Sequence, residues 1–153
     1  MGFIDASRGV YLAAVVSLAL AGCGATHGRV QSFQAVLSGS SEVPPVAVPG
    51  YGLLNLSYDA GAKQLSWTGT YRALTGEATS VEIRGAAGPG EVAGIQFPIS
   101  PVRSPFRGST KISGAQDALL AAGLLYVTIA TKAHPSGEIR GQIVRVQIPG
   151  QTE

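Results

Sequence analysis

One histidine in this chain sits where side-chain chemistry is conceivable: His134, in the stretch "AHPSGEIRG" at 133–141. Imidazole is the side chain best suited to move protons or bind a metal near neutral pH. A Ser-His-Asp arrangement would have to use His134, because the other histidine, His27, lies close to the N-terminus. As a metal ligand it would need carboxylates beside it, since a tetrahedral zinc site takes four ligands. Glycosidic hydrolysis would need two carboxylates flanking a cleft, and Glu42, Glu77, Glu82, Glu91 and Glu138 are the available ones. None of these groups falls in a catalytic signature: there is no G-x-S-x-G elbow, P-loop or H-E-x-x-H. The glycine-rich stretch "GAAGPGEVAG" (85–94) lacks the spacing of a dinucleotide loop, so it reads as a flexible connection and no cofactor is expected.

The second chemical pattern is an echo. "EIRG" occurs at 82–85 and again at 138–141. Alternate residues of a strand face one side, so two copies in neighbouring strands would bring Glu82, Arg84, Glu138 and Arg140 onto one face. Such a charge cluster would form cross-strand ion pairs of roughly 0.2–1 kcal/mol each. The plain alternative is four separately solvated charges. Glu42, beside the double proline of "SSEVPPVAVPGYG" (40–52), reads as a solvated or hydrogen-bonded loop residue more readily than as an acid catalyst. His134-Pro135-Ser136-Gly137 reads as a turn, with proline fixing one dihedral and glycine free to take a positive φ.

The elements that must position these residues are strands. "VQSFQAVLS" (30–38) puts Phe33, Ala35 and Leu37 on one face. "LLNLSYD" (53–59) runs through the turn "AGAK" into "QLSWTGTYR" (64–72), where Leu65, Trp67, Gly69 and Tyr71 alternate with polar residues: a hairpin. Further strands are expected at 79–84, 92–99, 106–112, 124–131 and 138–148. Residues 114–122 form the one helical candidate, capped by Ser113 with Gln116 and stopped at Gly123. Trp67, Tyr58, Tyr71 and Tyr126 fit strand faces, so core packing is preferred to a sugar-binding platform. The expected fold is all-β: an antiparallel β-sandwich or Greek-key barrel of about eight strands with one short helix.

Charged residues make up 13% of the chain, and the net charge of +2 comes from scattered single cations. That pattern excludes nucleic acid as a partner, which would demand clustered Lys and Arg. An apolar run from Val10 to Leu20 is too short to span a bilayer but fits the core of a signal peptide. It ends in Leu20-Ala21-Gly22-Cys23, which resembles a bacterial lipobox whose cysteine receives acyl chains such as palmitate. Cys23 is the only cysteine, so no intramolecular disulfide can form. The expected organisation is a lipoprotein signal peptide at 1–22, a lipidated N-terminus and tether at 23–31, and a β domain at 32–148. A tether of residues 24–31 reaches roughly 25 Å when extended. Gly24 after the cysteine, by resemblance to known sorting rules, points to the outer membrane.

"FQAVLSGSSEVPPV" (33–46), "ALLAAGLLYVTIAT" (118–131) and "AHPSGEIRGQI" (133–143) together resemble the CHRD domain, named from chordin and found also in bacterial secreted proteins. The resemblance covers about residues 32–144 and implies an all-β domain with no established catalytic activity. Relatives often carry "HIHG" where this chain has Glu82-Ile83-Arg84-Gly85, and many have a histidine where this chain has Ala130. Those histidines would make a metal site plausible; here His134 is left alone, so no metal is expected. The functional expectation is an envelope-anchored lipoprotein whose non-catalytic β domain serves a binding or structural role, held to the membrane by lipid on Cys23. Its protein or envelope-polymer partner is not named by the sequence. The alternative is a metal-binding protein or metal-dependent enzyme using His134 with nearby carboxylates.

Overall fold

A computed structural model describes residues 30–147. Cys23, the apolar run before it and His27 lie outside the described residues. The chain forms β1 (Val30–Ser38), a single 3-10 turn (Gly39–Ser41), β2 (Tyr51–Asp59), β3 (Gln64–Arg72), β4 (Ala78–Arg84) and β5 (Ile95–Pro98). It continues through β6 (Phe106–Lys111), α1 (Gly114–Ala121), β7 (Tyr126–Thr131), β8 (Ile139–Gln142) and β9 (Val144–Arg145). β1 takes in Val30 and Gln31, which pair with Asp59 and Tyr58, so the strand starts inside the segment assigned to the tether.

Period-two alternation sets which side of each strand is buried. β1 buries Phe33, Ala35 and Leu37; β2 buries Leu54, Leu56 and Tyr58; β3 buries Leu65 and Trp67. Every pairing is antiparallel, and the strand order is β5-β4-β7-β8-β1-β2-β3-β6, with β9 added beside β1. The fold is all-β as expected, in the form of one sheet curled into a half-barrel. Trp67 on β3 stacks on Phe97 of β5 with ring centroids 6.2 Å apart, although five strands separate them in the sheet order. The curl therefore faces the sheet's two halves toward each other across a common apolar core, and leaves β5 and β6 as open edges.

α1 is capped as its sequence dictates. Gln116 N donates to Ser113 Oγ (3.2 Å), while Ser113 N donates to Gln116 Oε1 (2.9 Å), a reciprocal box that satisfies two orphan donors. Gly123, at φ +69°, ends it, and Leu124 N returns to Leu119 O. That bond removes Leu124 from the strand expected at 124–131. Residues 92–94 similarly belong to a loop, not to β5. The long strand expected at 138–148 is broken at Ile143, whose side chain is buried and whose N–H bonds Leu125 O. β1 partners the segment on both sides of the break, with Ser38 opposite Arg140 and Gln34 opposite Val144, whereas the β7 ladder stops at Tyr126 and Gln142.

Adjacent leucines of β2 test this register. Leu54 is fully buried and Leu53 is outward and exposed. Leu54→Ala is expected to cost roughly 2–5 kcal/mol in chemical denaturation. Leu53→Ala is expected to stay within about 0.5 kcal/mol of the parent.

Candidate functional site

The outward face of β4, β7 and β8 departs from the usual solvated surface of an antiparallel sheet. The register sets Glu82, Thr128 and Arg140 in one row across the three strands, and Arg84, Tyr126 and Gln142 in the next. Two loops, 39–50 and 85–94, close over these rows. Thr128, Tyr126 and Arg140 are buried as a result.

The two "EIRG" copies do not lie in neighbouring strands: β7 separates β4 from β8. They are also out of step, since Glu82 is level with Arg140 and not with Glu138. The expected cross-strand ion pairs are replaced by one pair along β4, where Arg84 Nη2 and Nε lie 2.7 and 2.9 Å from Glu82 Oε2. Arg140 stacks its guanidinium over Tyr126, with Cζ 3.6 Å from the ring centroid. It donates to Glu91 O (2.6 Å) and Gly88 O (3.0 Å). Gln142 Nε2 adds bonds to Ala87 O and Gly123 O, and the Tyr126 hydroxyl bonds both backbone groups of Ala93. The glycine-rich segment 85–94 is therefore fastened to the sheet by side chains, where composition alone suggested a flexible connection.

Glu138 leaves the group altogether. Its residue is completely buried, and its carboxylate accepts from Thr75 N, Thr75 Oγ1 and Thr131 Oγ1, each at 2.6 Å. Burial opposes the charged form, but these bonds outweigh it and hold the carboxyl below its ordinary value. Nothing local in the sequence marks Thr75 as a partner 63 residues away.

Glu42 is treated in the opposite way. Glu42 N and Val46 N both donate to Gly39 O, which folds the proline-rich loop back on itself. The Glu42 side chain then points onto the sheet, where Thr128 Oγ1 donates to Oε1 at 2.7 Å. Burial pushes this carboxyl above its ordinary value; the Thr128 bond and the charges of Arg140 and Arg84 oppose the rise without cancelling it. Gly137 supplies the space, because a Cβ there would run into the Glu42 carboxylate, and its φ of +137° disfavours any other residue.

His134 heads that turn. Its carbonyl accepts from Gly137 N (3.1 Å) and Thr131 N (3.2 Å), and its N–H donates to Thr131 Oγ1. The half-buried imidazole lines a cleft of about 290 Å³ together with Glu42 and Pro44. Among the described residues no group of three or more His, Cys, Asp or Glu is placed to hold a metal ion. At the positions where the resemblance puts histidines, Glu82 and Arg84 bind each other and Ala130 is buried. The metal alternative thus finds no ligand set around His134. Trp67 and Tyr58 are core residues, which removes them as a sugar platform.

Glu42 and Val43 line three adjoining openings. Besides the cleft at His134 there is a cavity of about 110 Å³ bounded by Arg84, Tyr126 and Thr128. The largest is a groove of about 700 Å³ walled by Val36, Pro45, Pro89 and Val144, with Gln34 and Gln142 as polar points. The three sequence segments that looked most distinctive therefore meet in space: one supplies Glu42, the second Thr128, the third Gly137. A family model for the CHRD domain matches residues 33–143, which span all three. The chain belongs to the CHRD domain family. No curated protein and no solved structure matches it. Within this CHRD domain, sequence reasoning singled out His134 and the charged echo, whereas the geometry centres on Glu42.

Three variants check this centre. The raised Glu42 makes the fold more stable below the ordinary carboxylate range, and that increment is lost as pH rises through its folded value. Glu42→Gln should therefore be neutral or stabilising near pH 7 and lose its advantage in acid. The lowered Glu138 contributes stability above its unfolded value, and this is lost as pH falls through its folded value. Glu138→Gln should cost about 1–3 kcal/mol near pH 7 and progressively less in acid, read by denaturant midpoints across pH 3–8. Gly137→Ala should cost at least about 1–3 kcal/mol in the same assay, from the left-handed backbone and the collision with Glu42.

Proposed function

We propose that this CHRD protein is a lipid-anchored, non-catalytic binding module of the cell envelope, with the groove beside Glu42 as its recognition surface. In this reading Cys23 carries the acyl chains and the outer membrane is the destination. The observation that carries the reading is the placement of Glu42 at the junction of three openings, in a setting that raises its pKa. A buried carboxyl kept at a cost to stability is the kind of group that function, not folding, retains. The groove's volume falls within the usual range for ligand sites. Its walls are largely apolar, with Glu42 as the acceptor that would orient a partner's hydrogen-bond donor.

Several features favour binding over catalysis. The Thr128 hydroxyl is committed to Glu42, and Arg140 is committed to loop carbonyls and an aromatic face. His134 enters neither of the two side-chain ion pairs found among the described residues. No nucleophile, base and orienting group stand in sequence here, as a covalent mechanism requires.

The test uses Val36, a groove wall that is 66% exposed and so replaceable without disturbing the core. The full lipidated chain and its Val36→Asp variant are each used to capture material from solubilised envelope and from isolated cell-wall polymer. A species held by the parent is expected to be retained at least tenfold less by Val36→Asp. Equal capture by both chains overturns the groove as the recognition surface.

A further inference from the structure

The half of the sheet away from Glu42 presents a second outward face, on β2, β3 and β6. Its rows are fixed by register. Ser57, Ser66 and Ser109 form one row; Asn55, Thr68 and Arg107 the next; Asp59, Gln64 and Lys111 close one end, and Tyr51 with Arg72 the other. Among the described residues no loop folds over it as 39–50 and 85–94 do over the opposite half. Arg72, Arg107, Lys111 and Lys63 of the β2–β3 turn are all exposed, as are Tyr51 and Leu53. The face holds a single acid, Asp59, whose Oδ1 is engaged by Ala62 N of the same turn. The other described acids lie elsewhere: Glu42, Glu82, Glu91 and Glu138 around the polar centre, Glu77 and Asp117 on connections and α1. A chain with a net charge of only +2 thus concentrates cations that pair with no acid among the described residues on one hydroxyl-rich surface beside exposed aromatic and aliphatic groups. Basic residues mixed with aromatic and apolar ones suit the headgroup region of an anionic bilayer.

The position of the chain's N-terminal end selects the same occupant. Val30 pairs with Asp59, so β1 begins at the Asp59–Gln64–Lys111 end of this face. Seven residue steps connect Val30 to Cys23, a reach of at most about 25 Å. A lipid on Cys23 therefore keeps Lys111, Lys63 and Arg107 within a short distance of headgroups, at high effective concentration. We infer that the outward face of β2, β3 and β6 docks on the anionic phospholipid surface to which the chain is anchored. This rests on the lipid-anchor reading above and adds a defined orientation to it.

The experiment places the full lipidated chain in vesicles of phosphatidylethanolamine and phosphatidylglycerol. With Cys23 blocked by lipid, Ser109→Cys and, as control on the other half of the sheet, Thr79→Cys each give one site for a polarity-sensitive fluorophore. Emission from position 109 should shift to the blue on these vesicles. The shift should disappear in phosphatidylcholine vesicles, in 1 M salt, and when Arg107→Gln and Lys111→Gln are added. Emission from position 79 should not move. Equal responses at both positions, or none at 109 while mass spectrometry finds lipid on Cys23, overturn the docking face and leave the anchor intact. An unmodified Cys23 overturns the anchor and the docking with it.

Discussion

The Glu42 carboxyl fits against the Cα of Gly137 and under the hydroxyl of Thr128, and much of the outer structure depends on that one seat. The three residues come from a loop, a strand and a turn up to 95 positions apart in the chain (42 to 137). With Glu42 in place, the proline-rich segment must lie over β8 and wall the groove. With glycine at 137, the β7–β8 turn can close tightly enough to let the carboxyl in. Any side chain at 137 would push the loop outward and open the face of the sheet to water.

The centre distributes charge unequally for physical reasons. Glu138 has three strong donors and is content as an anion in the interior, so it behaves as a structural tie between the 73–77 segment and the hairpin. Glu42 has Thr128 and more distant guanidinium groups, too little to offset its desolvation. Arg140 is buried and pairs with no carboxylate among the described residues, which would be costly were its hydrogens not taken by two carbonyls and its flat face by Tyr126. Those same bonds hold the 85–94 loop down. A polar cluster that a core would exclude is used here to fasten two loops across a sheet face.

What the sequence disclosed follows the range of the interactions involved. Alternation along β1, β2 and β3, the Ser113–Gln116 cap and the turn at His134 are contacts over a few residues, and each was readable from residue type and spacing. The echo misled because identical tetrapeptides give no information on strand order, and β7 inserts between them. The break at Ile143 was hidden since an alternating apolar pattern and the β1 register continue through it while the β7 ladder ends. Glu42 carried one signal, its place beside two prolines, but not the partners that raise its pKa. Thr75, Thr128 and Thr131 carried none, because a hydroxyl in a β-rich chain is ordinary until an acid is found opposite it.

The curl of the sheet bears on how anchoring and recognition coexist. Trp67 and Phe97 stack inside, so the inner surfaces of β3 and β5 face each other and the outer surfaces of the two halves point apart. A flat open sheet would present its basic rows and its Glu42 groove on the same side, and contact with a bilayer would cover both. In the half-barrel the basic face and the roofed face meet at β1, whose Gln34 and Val36 wall the groove and lie opposite Asn55 and Leu53 of β2. Docking through β2, β3 and β6 would then set the Val36 and Gln34 wall of the groove at the edge of the bilayer contact, while Pro45 and Pro89 belong to the loops that roof the other half.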